Sequence, residues 1–199
     1  MARDRASRPE ARPLRLFVAA EVPEDVRALV ADAVAPIRQE FPKARWVPPD
    51  NQHVTLKFLG ATWPRLTEWV TASVGDVAAA NEPFRTHVSG LGAFPNDRRA
   101  RVLWAGLDDP GSVFARLAAT LDEVLAREFK PEKRPFTPHL TVARFQPQVA
   151  LGGLPPAESA PFAVDSLVLY RSHLRRPAPV YEALATFPLG VQWESPVVR

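Results

Sequence analysis

Two short stretches decide how this chain folds: HVTLKFLG, residues 53–60, and HLTVARF, residues 139–145. Each begins with a histidine, an apolar residue and a threonine, and each continues into the apolar residues typical of a β-strand. Together they hold two of the four histidines of the chain. The repeated pattern predicts that the sequence contains two similar halves, each with a strand that begins His-x-Thr.

Strand and helix patterns surround both motifs. Apolar residues at helical spacing predict three helices, one beginning near residues 22–25 and ending or kinking near Pro36, one beginning at 62–64 and one beginning at 108–111. Apolar runs rich in β-branched and aromatic residues predict strands at 14–20, 53–59, 84–91, 101–107, 139–145, 162–170 and 180–187.

The turn AFPNDRR, residues 93–99, separates two of these strands and predicts a hairpin. Hairpins give antiparallel pairing, so the pattern favours an α+β protein with two mainly antiparallel sheets and helices on the outside. We expect residues 14–189 to form a single domain. The Arg-rich residues 1–13 and residues 190–199 are predicted to be tails.

Composition excludes several classes of protein. With no cysteine in 199 residues, disulfides, thiolate catalysis and cysteine-based metal sites are excluded. No apolar run approaches the ~18 residues that a membrane-spanning helix needs, so we expect no membrane partner and a cytoplasmic protein. The net charge of +3 is compatible with an anionic substrate, although arginine enrichment can also reflect genome composition.

Alternation along a strand predicts the orientation of the motif residues. His53 and Thr55 share one face of their strand, and His139 and Thr141 share one face of theirs. If the two strands lie side by side across a pseudo-twofold axis, two imidazoles and two hydroxyls converge on one cleft. The intervening residues Val54, Leu56 and Phe58 are predicted to point into a core.

Two imidazoles and two hydroxyls suit phosphodiester chemistry. Histidine has an ordinary pKa near 6.5, so one imidazole can act as a base while the other acts as an acid. The threonine hydroxyls can donate hydrogen bonds to the non-bridging phosphate oxygens, where charge develops. Either motif alone would indicate only a strand edge.

Competing kinds of site find less support. Two histidines could bind zinc, but the sequence has no H-x-H, no H-x-x-x-H and no nearby acidic cluster to complete the ligand set. The sequence also lacks G-x-S-x-G, a phosphate-binding glycine loop and a dinucleotide-binding fingerprint.

Four further residues are candidates for substrate contact. Lys57 follows Thr55 by two residues, so alternation places it on the His53 face, at the rim of the cleft. Arg144 follows Thr141 by three, so strict alternation turns it away from His139 unless a bulge intervenes. Trp46 and Phe17 could stack on a nucleobase, but core packing is the favoured explanation for both.

Several stretches together resemble a known family: RLFVA, RWVPPDNQHVTLKFLG, GLGAFP, RVLWAGL, RPFTPHLTVAR and LVLYRS, all between Leu14 and Leu189. They are similar to the RNA 2′,3′-cyclic phosphodiesterases, once called 2′-5′ RNA ligases, of the two-histidine phosphoesterase superfamily. The second motif reads His-Leu-Thr-Val, where leucine often stands last, and Val142 is expected to face the core.

The resemblance implies a bilobal, pseudo-twofold fold with a central cleft between the lobes. It also implies hydrolysis of an RNA 2′,3′-cyclic phosphate end to a 2′-phosphomonoester, without metal or other cofactor. In that family pattern His53 donates a proton to the departing 3′-oxygen, His139 accepts the proton of the attacking water, and Thr55 and Thr141 bind the phosphate.

The expected protein is a monomer that acts on RNA ends or on small cyclic-phosphate nucleotides, with 2′-5′ ligation as the reverse reaction. Two alternatives remain open at the level of the sequence. One is a module that binds RNA ends without useful turnover. The other is a two-histidine phosphoesterase that acts on a different cyclic phosphate.

Overall fold

In a computed structural model of the chain, the structure describes residues 12–176 and 178–193. Residues 1–11 of the predicted basic tail and residues 194–199 of the predicted C-terminal tail therefore lie outside the described part. The strands are β1 (Leu14–Ala20), β2 (Arg45–Trp46), β3 (Val54–Thr62), β4 (Phe84–Thr86), β5 (Val88–Phe94), β6 (Ala100–Leu107), β7 (His139–Val149), β8 (Phe162–Val164), β9 (Ser166–His173) and β10 (Val180–Pro188).

The helices follow the predicted apolar faces. They are α1 (Glu24–Ala33), α2 (Ala35–Glu40), α3 (Thr67–Ala79) and α4 (Val113–Val124), with short 3₁₀ turns at Pro49–Asn51, Pro64–Leu66, Asp97–Arg99 and Pro110–Ser112. The break predicted near Pro36 separates α1 from α2, and Pro36 lies in the first turn of α2. Proline fits there because the first helical residues need no N–H donor within the helix.

The strands form one main antiparallel sheet and one small sheet. Their order in the main sheet is β10-β9-β1-β3-β7-β6-β5, with β2 added on β7. The two halves of this sheet meet at a single residue pair between β3 and β7, Val54 with Leu140. The prediction of an α+β protein with antiparallel sheets is confirmed, and the two predicted sheets are the halves joined at that pair.

Two predicted strands are each divided into two. Residues 84–91 separate at His87 into β4 and β5, and residues 162–170 separate at Asp165 into β8 and β9. The freed segments β4 and β8 pair with each other as a two-stranded sheet. Strand propensity alone does not reveal such a division, because each half keeps the composition of a strand.

All four helices contribute to one hydrophobic core on one face of the main sheet. Fully buried residues of this core include Val18 of β1, Val30 of α1, Val74 of α3 and Leu121 of α4. The opposite face of the sheet carries the two motif histidines and the aromatic rings that surround them.

The packed domain extends past Leu189, where we expected the C-terminal tail to begin. The N–H of Gly190 donates to the carbonyl of Ala78 in α3, at 3.1 Å. The ring of Trp193 lies 5.1 Å from that of Phe187 and contacts the backbone of α3 at Gly75. Residues 190–193 therefore cover the end of α3.

Candidate active site

The two motifs meet where the halves of the sheet join. Val54 and Leu140, the middle residues of the two His-x-Thr patterns, are antiparallel partners. Continuing this register places His53 opposite Thr141, and His139 opposite Thr55. All four side chains are half-buried. The single pair between β3 and β7 thus lies at the centre of the pseudo-twofold symmetry that relates the two motifs. This pairing brings the polar groups of both motifs to one place.

His139 is oriented by the loop that precedes β7. Its Nδ1 lies 2.7 Å from the carbonyl oxygen of Thr137, two residues earlier. In the neutral imidazole Nδ1 donates to this carbonyl, which leaves the lone pair on Nε2. The loop is itself fixed to β6, since the N–H of Leu107 donates to the carbonyl of Pro138 at 3.1 Å.

His53 has the equivalent support. Its imidazole hydrogen-bonds to the backbone of Asn51, again two residues earlier. Asn51 ends a 3₁₀ turn, and its side chain donates to the carbonyl of Pro179 at 2.8 Å, next to β10. The 3₁₀ turn Pro49–Asn51 therefore fixes the residue that orients His53.

Burial holds the pKa of both histidines below the ordinary value. Burial lowers the pKa of His53 to about 4, against a smaller rise from its hydrogen bond to Asn51, and the charge of His139 lowers it further. Burial likewise lowers the pKa of His139, and the charges of Arg144 and Arg134 add to this effect. Both imidazoles are therefore largely neutral at pH 7 without an anion, and a bound phosphate would raise both pKa values.

Aromatic rings enclose His53 on the first lobe. Phe17 stacks on its imidazole with centroids 4.8 Å apart and 23° between the planes. The ring of Tyr170 lies 5.2 Å from that of Phe17 and 6.1 Å from the imidazole, so the three rings form a triangle. The ring of Tyr181 stands edge-on to His53 at 5.3 Å. These contacts restrict the imidazole to one orientation.

Two further rings flank His139 on the second lobe. Phe94 lies edge-on at 5.3 Å and Trp104 at 6.2 Å. The indole of Trp104 lies across Gly92 and Gly106, where a Cβ would come within 2.1 Å and 2.8 Å of its ring. Any side chain at these two glycines would therefore displace the ring next to His139.

A β-bulge follows the threonine in each motif. Across β1 and β3, Thr55 pairs with Ala19 and Lys57 with Val18, so Leu56 has no partner of its own. A bulge moves the side chains that follow it to the opposite face of the strand. Beyond Leu56, the alternation on which the sequence predictions depended is therefore shifted.

The first bulge overturns the prediction for Lys57. Lys57 shares the face of Val18, which lies in the core, and only 4% of the residue is exposed. Its ammonium forms an ion pair with Asp122 of α4 and donates to the carbonyl of Lys130 at 2.9 Å. Lys57 therefore does not line the rim of the cleft.

The same bulge overturns the prediction for Phe58. Phe58 pairs with Phe17 on the cleft face and is 50% exposed, instead of pointing into the core with Val54 and Leu56. The guanidinium of Arg15 lies 4.5 Å above its ring. The core position is filled by Leu59, which is buried.

The second bulge brings Arg144 to the cleft. Across β6 and β7, Thr141 pairs with Trp104 and Ala143 with Leu103, so Val142 is the extra residue. Val142 faces the core, as predicted. Arg144 lies on the His139 face. Its charge adds to the lowering of the His139 pKa that burial causes, and it opposes the rise that burial gives the pKa of Tyr181.

Neither aromatic candidate is free to stack on a nucleobase. Phe17 is 4% exposed and packs against His53, Tyr170 and Tyr181. Trp46 packs against the core beside Phe145 and donates its indole N–H to the carbonyl of Phe41 at 3.0 Å. Phe17 contacts a motif histidine, whereas Trp46 packs against the hydrophobic core.

The sequence analysis missed the other rings of the site, namely Phe94, Trp104, Tyr170 and Tyr181. Alternation in the predicted strands offers a partial signal, because Phe17 and Tyr170 are strand partners and Trp104 is the partner of Thr141. The pairing itself, however, could not be deduced without the order of the strands.

Two absences hold for the described part of the chain. Residues 12–176 and 178–193 contain no group of three or more His, Cys, Asp or Glu side chains placed to hold a metal ion. Their helices are also all too short or too polar to cross a membrane.

Sequence comparison places this arrangement among known proteins. Residues 16–176 match the family described as the 2′-5′ RNA ligase superfamily. An RNA 2′,3′-cyclic phosphodiesterase of Thermus thermophilus is 35% identical over 88% of this chain and 90% of its own length. Its namesake in Methanothermobacter thermautotrophicus is 32% identical over 88% and 99%. The Geobacillus stearothermophilus relative is 31% identical over 87% of this chain, which spans 56% of that protein.

Solved structures share the fold. A crystal structure of a Thermus thermophilus protein superposes with a TM-score of 0.77 at 34% identity, covering 89% of this chain and 98% of that one. LigT of E. coli, complexed with 3′-AMP, superposes with a TM-score of 0.74 at 27% identity and the same coverage. With the doubled His-x-Thr motif at the junction of its two half-sheets, the chain belongs to the 2′-5′ RNA ligase superfamily.

Proposed function

We propose that this protein is an RNA 2′,3′-cyclic phosphodiesterase that opens the cyclic phosphate to a 2′-phosphomonoester. The observation that carries the proposal is the pairing of Val54 with Leu140, which brings His53, Thr55, His139 and Thr141 to one cleft. Relatives that share a third of the sequence over most of this chain bear that activity in their names.

The reaction needs an acid and a base on opposite sides of one phosphorus. The oxygen of water attacks phosphorus while His139 accepts its proton. The bond from phosphorus to the 3′-oxygen breaks, and His53 donates a proton to that oxygen. The products are a 3′-hydroxyl and a 2′-phosphomonoester, and the two histidines exchange protonation states. Thr55 and Thr141 donate hydrogen bonds to the non-bridging oxygens, where charge accumulates.

The bound substrate itself favours the protonated form of His53, the acid of the reaction. Because burial holds the pKa of His53 at about 4, the free enzyme rarely carries the proton that the 3′-oxygen needs. A phosphodiester anion beside the imidazole favours the charged form and raises this pKa. Binding and protonation of His53 are therefore coupled. Arg144, on the same face as His139, contacts the reacting phosphate and adds a fixed positive charge.

The same groups run the reaction in both directions. When a 5′-hydroxyl attacks phosphorus in place of water, His139 accepts its proton, His53 protonates the departing 3′-oxygen, and the product is a 2′-5′ phosphodiester. By microscopic reversibility the same groups return that diester to the cyclic phosphate and a 5′-hydroxyl. The substrates are RNA ends and small nucleotides that carry a 2′,3′-cyclic phosphate. The protein acts as a monomer in the cytoplasm, without a cofactor and without a membrane partner.

Product identity tests this proposal. The wild-type protein is incubated with a short RNA that ends in a 2′,3′-cyclic phosphate, and the products are followed by ³¹P NMR. We expect one product, the 2′-phosphomonoester. A 3′-phosphate product would contradict the assigned leaving group, and binding of the RNA without any product would indicate a binding module instead of an enzyme.

A further inference from the structure

Two arginines, Arg15 and Arg144, lie on the cleft face of the sheet. In the regions that the structure describes, neither Arg15 nor Arg144 forms an ion pair, whereas Arg134 and Arg171 are each paired with a glutamate. Arginine without a carboxylate partner keeps its fork of donors available for phosphate. Arg144 lies at the reacting centre, which leaves Arg15 without a role.

The fold fixes Arg15 to the first lobe. Arg15 lies in β1 two residues before Phe17, so both side chains project from the cleft face of the sheet. Its guanidinium lies 4.5 Å above the ring of Phe58, which the bulge in β3 turns to the same face. A guanidinium is attracted to the face of an aromatic ring and loses freedom of movement there.

Arg15 also lies within electrostatic reach of the site. Burial raises the pKa of Tyr181, and the charges of Arg144 and Arg15 both oppose that rise. The ring of Tyr181 in turn stands 5.3 Å from His53. Arg15 and Arg144 thus approach Tyr181 from different strands, Arg15 from the first lobe and Arg144 from the second.

We propose that Arg15, held against Phe58, binds the phosphate on the 5′ side of the terminal nucleotide of the RNA. This inference rests on the proposed function. His53 protonates the ribose 3′-oxygen, so the ribose lies on the lobe of His53. The next anion along the chain is the phosphate attached to the 5′-oxygen of that ribose. Arg15 is a cation of the first lobe that lies over Phe58 and acts on Tyr181, next to His53.

The arrangement makes Arg15 a determinant of substrate length. A nucleoside 2′,3′-cyclic phosphate has only the reacting phosphate, so it gains nothing from Arg15. An RNA with the same end has a second phosphate at the position of Arg15. We therefore compare Arg15→Gln with the wild type on 2′,3′-cyclic AMP and on an oligoadenylate with a 2′,3′-cyclic end, and measure kcat/KM for each.

We expect the ratio of kcat/KM for the oligonucleotide to that for the mononucleotide to fall by about tenfold in R15Q. This fold-change corresponds to one charge-assisted hydrogen bond. The slope of log kcat/KM against log salt for the oligonucleotide should become shallower by about 0.7, the value for one phosphate contact on a single strand. An unchanged ratio, or an equal loss on both substrates, would overturn the proposal.

Two matched variants complete the comparison. Arg127 also lies over an aromatic ring, 4.9 Å above Trp69 of α3, so Arg127→Gln removes a similar pair from the helical side and should leave the ratio unchanged. Arg45 is the strand partner of Arg144, on the second lobe. If Arg45→Gln lowered the ratio and R15Q did not, the RNA would run over the other lobe and the proposal would be wrong.

A binding measurement keeps this inference separate from the proposed function. If the wild type hydrolysed neither substrate, the proposed function would fail. Affinities for an oligonucleotide with a 2′-phosphate end and for adenosine 2′-phosphate would then still test Arg15. We expect R15Q to weaken only the first by about tenfold. Equal affinities of R15Q and wild type for the oligonucleotide would overturn the inference by itself.

Discussion

Phe17 and His53 stack face to face, with ring centroids 4.8 Å apart and 23° between the planes. Phe17 is a positioning residue, because it is buried and contacts the imidazole instead of the substrate. Its ring limits rotation of His53 and excludes water from one face of it. Phe17 therefore contributes both to the orientation of His53 and to the burial that lowers its pKa.

The Phe17→Leu variant should show whether Phe17 orients His53 or only contributes to core packing. Loss of the flat ring admits water to His53, so we expect the pKa of His53 to rise toward its ordinary value and kcat to fall about tenfold or more, within the range of acid–base contributions. NMR titration of the imidazole and kcat measure these two effects. Phe187→Leu, at a fully buried ring of β10, is the control for core damage. An unchanged pKa in F17L would contradict the role of Phe17.

The low pKa of His53 predicts acid sensitivity. Burial lowers the pKa of His53 from its ordinary value of 6.5 to about 4 in the folded state, so the unfolded chain binds a proton first as the pH falls. The stability contribution is therefore intact above pH 6.5 and is lost progressively toward pH 4. By pH 5 the loss from this one group is about 2 kcal/mol.

Urea unfolding of the wild type and of His53→Gln at pH 8 and pH 5 measures this loss. H53Q should lose less stability between the two pH values than the wild type. His87→Gln, at a half-buried histidine beside Asp108, is the matched control for removing an imidazole elsewhere in the fold. Identical pH dependence of H53Q and wild type would show that His53 titrates normally.

Anion binding should be linked to proton uptake. A bound sulfate favours the charged forms of both motif histidines and so raises their pKa values, which reach their low values through burial. Sulfate should therefore bind more tightly at pH 5.5 than at pH 8, by up to about tenfold per pH unit for each proton taken up. Calorimetry in two buffers of different ionisation enthalpy measures both the affinity and the proton uptake. Binding that is independent of pH would contradict this linkage.

Breaking the buried ion pair between Lys57 and Asp122 should strongly lower the free energy of unfolding. Asp122 also accepts from the N–H of Glu132 at 2.8 Å, so the pair connects β3 to α4 and to the loop that leads to His139. Asp122→Asn leaves the Lys57 charge buried and should cost about 3 kcal/mol of unfolding free energy. Denaturant unfolding measures this cost.

A surface ion pair supplies the control. Glu132 and Arg134 lie 3.4 Å apart with both side chains more than half exposed, so Glu132→Gln should cost less than about 1 kcal/mol. If D122N lowered the free energy of unfolding no more than E132Q, the Lys57–Asp122 pair would stabilise the fold no more than an exposed ion pair, and the prediction would be wrong.

The sequence alone was enough to predict which face of the strand carries each motif residue before the bulges. It was not enough to predict the face of the residues that follow them. Strand alternation placed His53 with Thr55 and His139 with Thr141, because those residues precede Leu56 and Val142. It misplaced Lys57 and Phe58, since a bulge depends on which residues the partner strand opposes, and the partner strands β1 and β6 are distant in sequence. The same limit applies to Arg144, for which strict alternation alone gave the wrong face.

The aromatic residues around the site could not be predicted from the sequence, for a related reason. Phe17, Tyr170 and Tyr181 come from three different strands, and only the order β10-β9-β1 brings them together around His53. Composition identifies such rings as strand residues. It does not show which of them become neighbours.

The central claim is that His53 and His139 act as a pair on one phosphate. The most direct test is the hydrolysis rate of a 2′,3′-cyclic phosphate RNA by His53→Ala, His139→Ala and the double variant, each assayed with EDTA present. We expect each single variant to lose at least about 100-fold and the double variant to lose little more, because the two groups serve one reaction step. A single variant with near wild-type rate, or a wild type that EDTA inactivates, would contradict the claim.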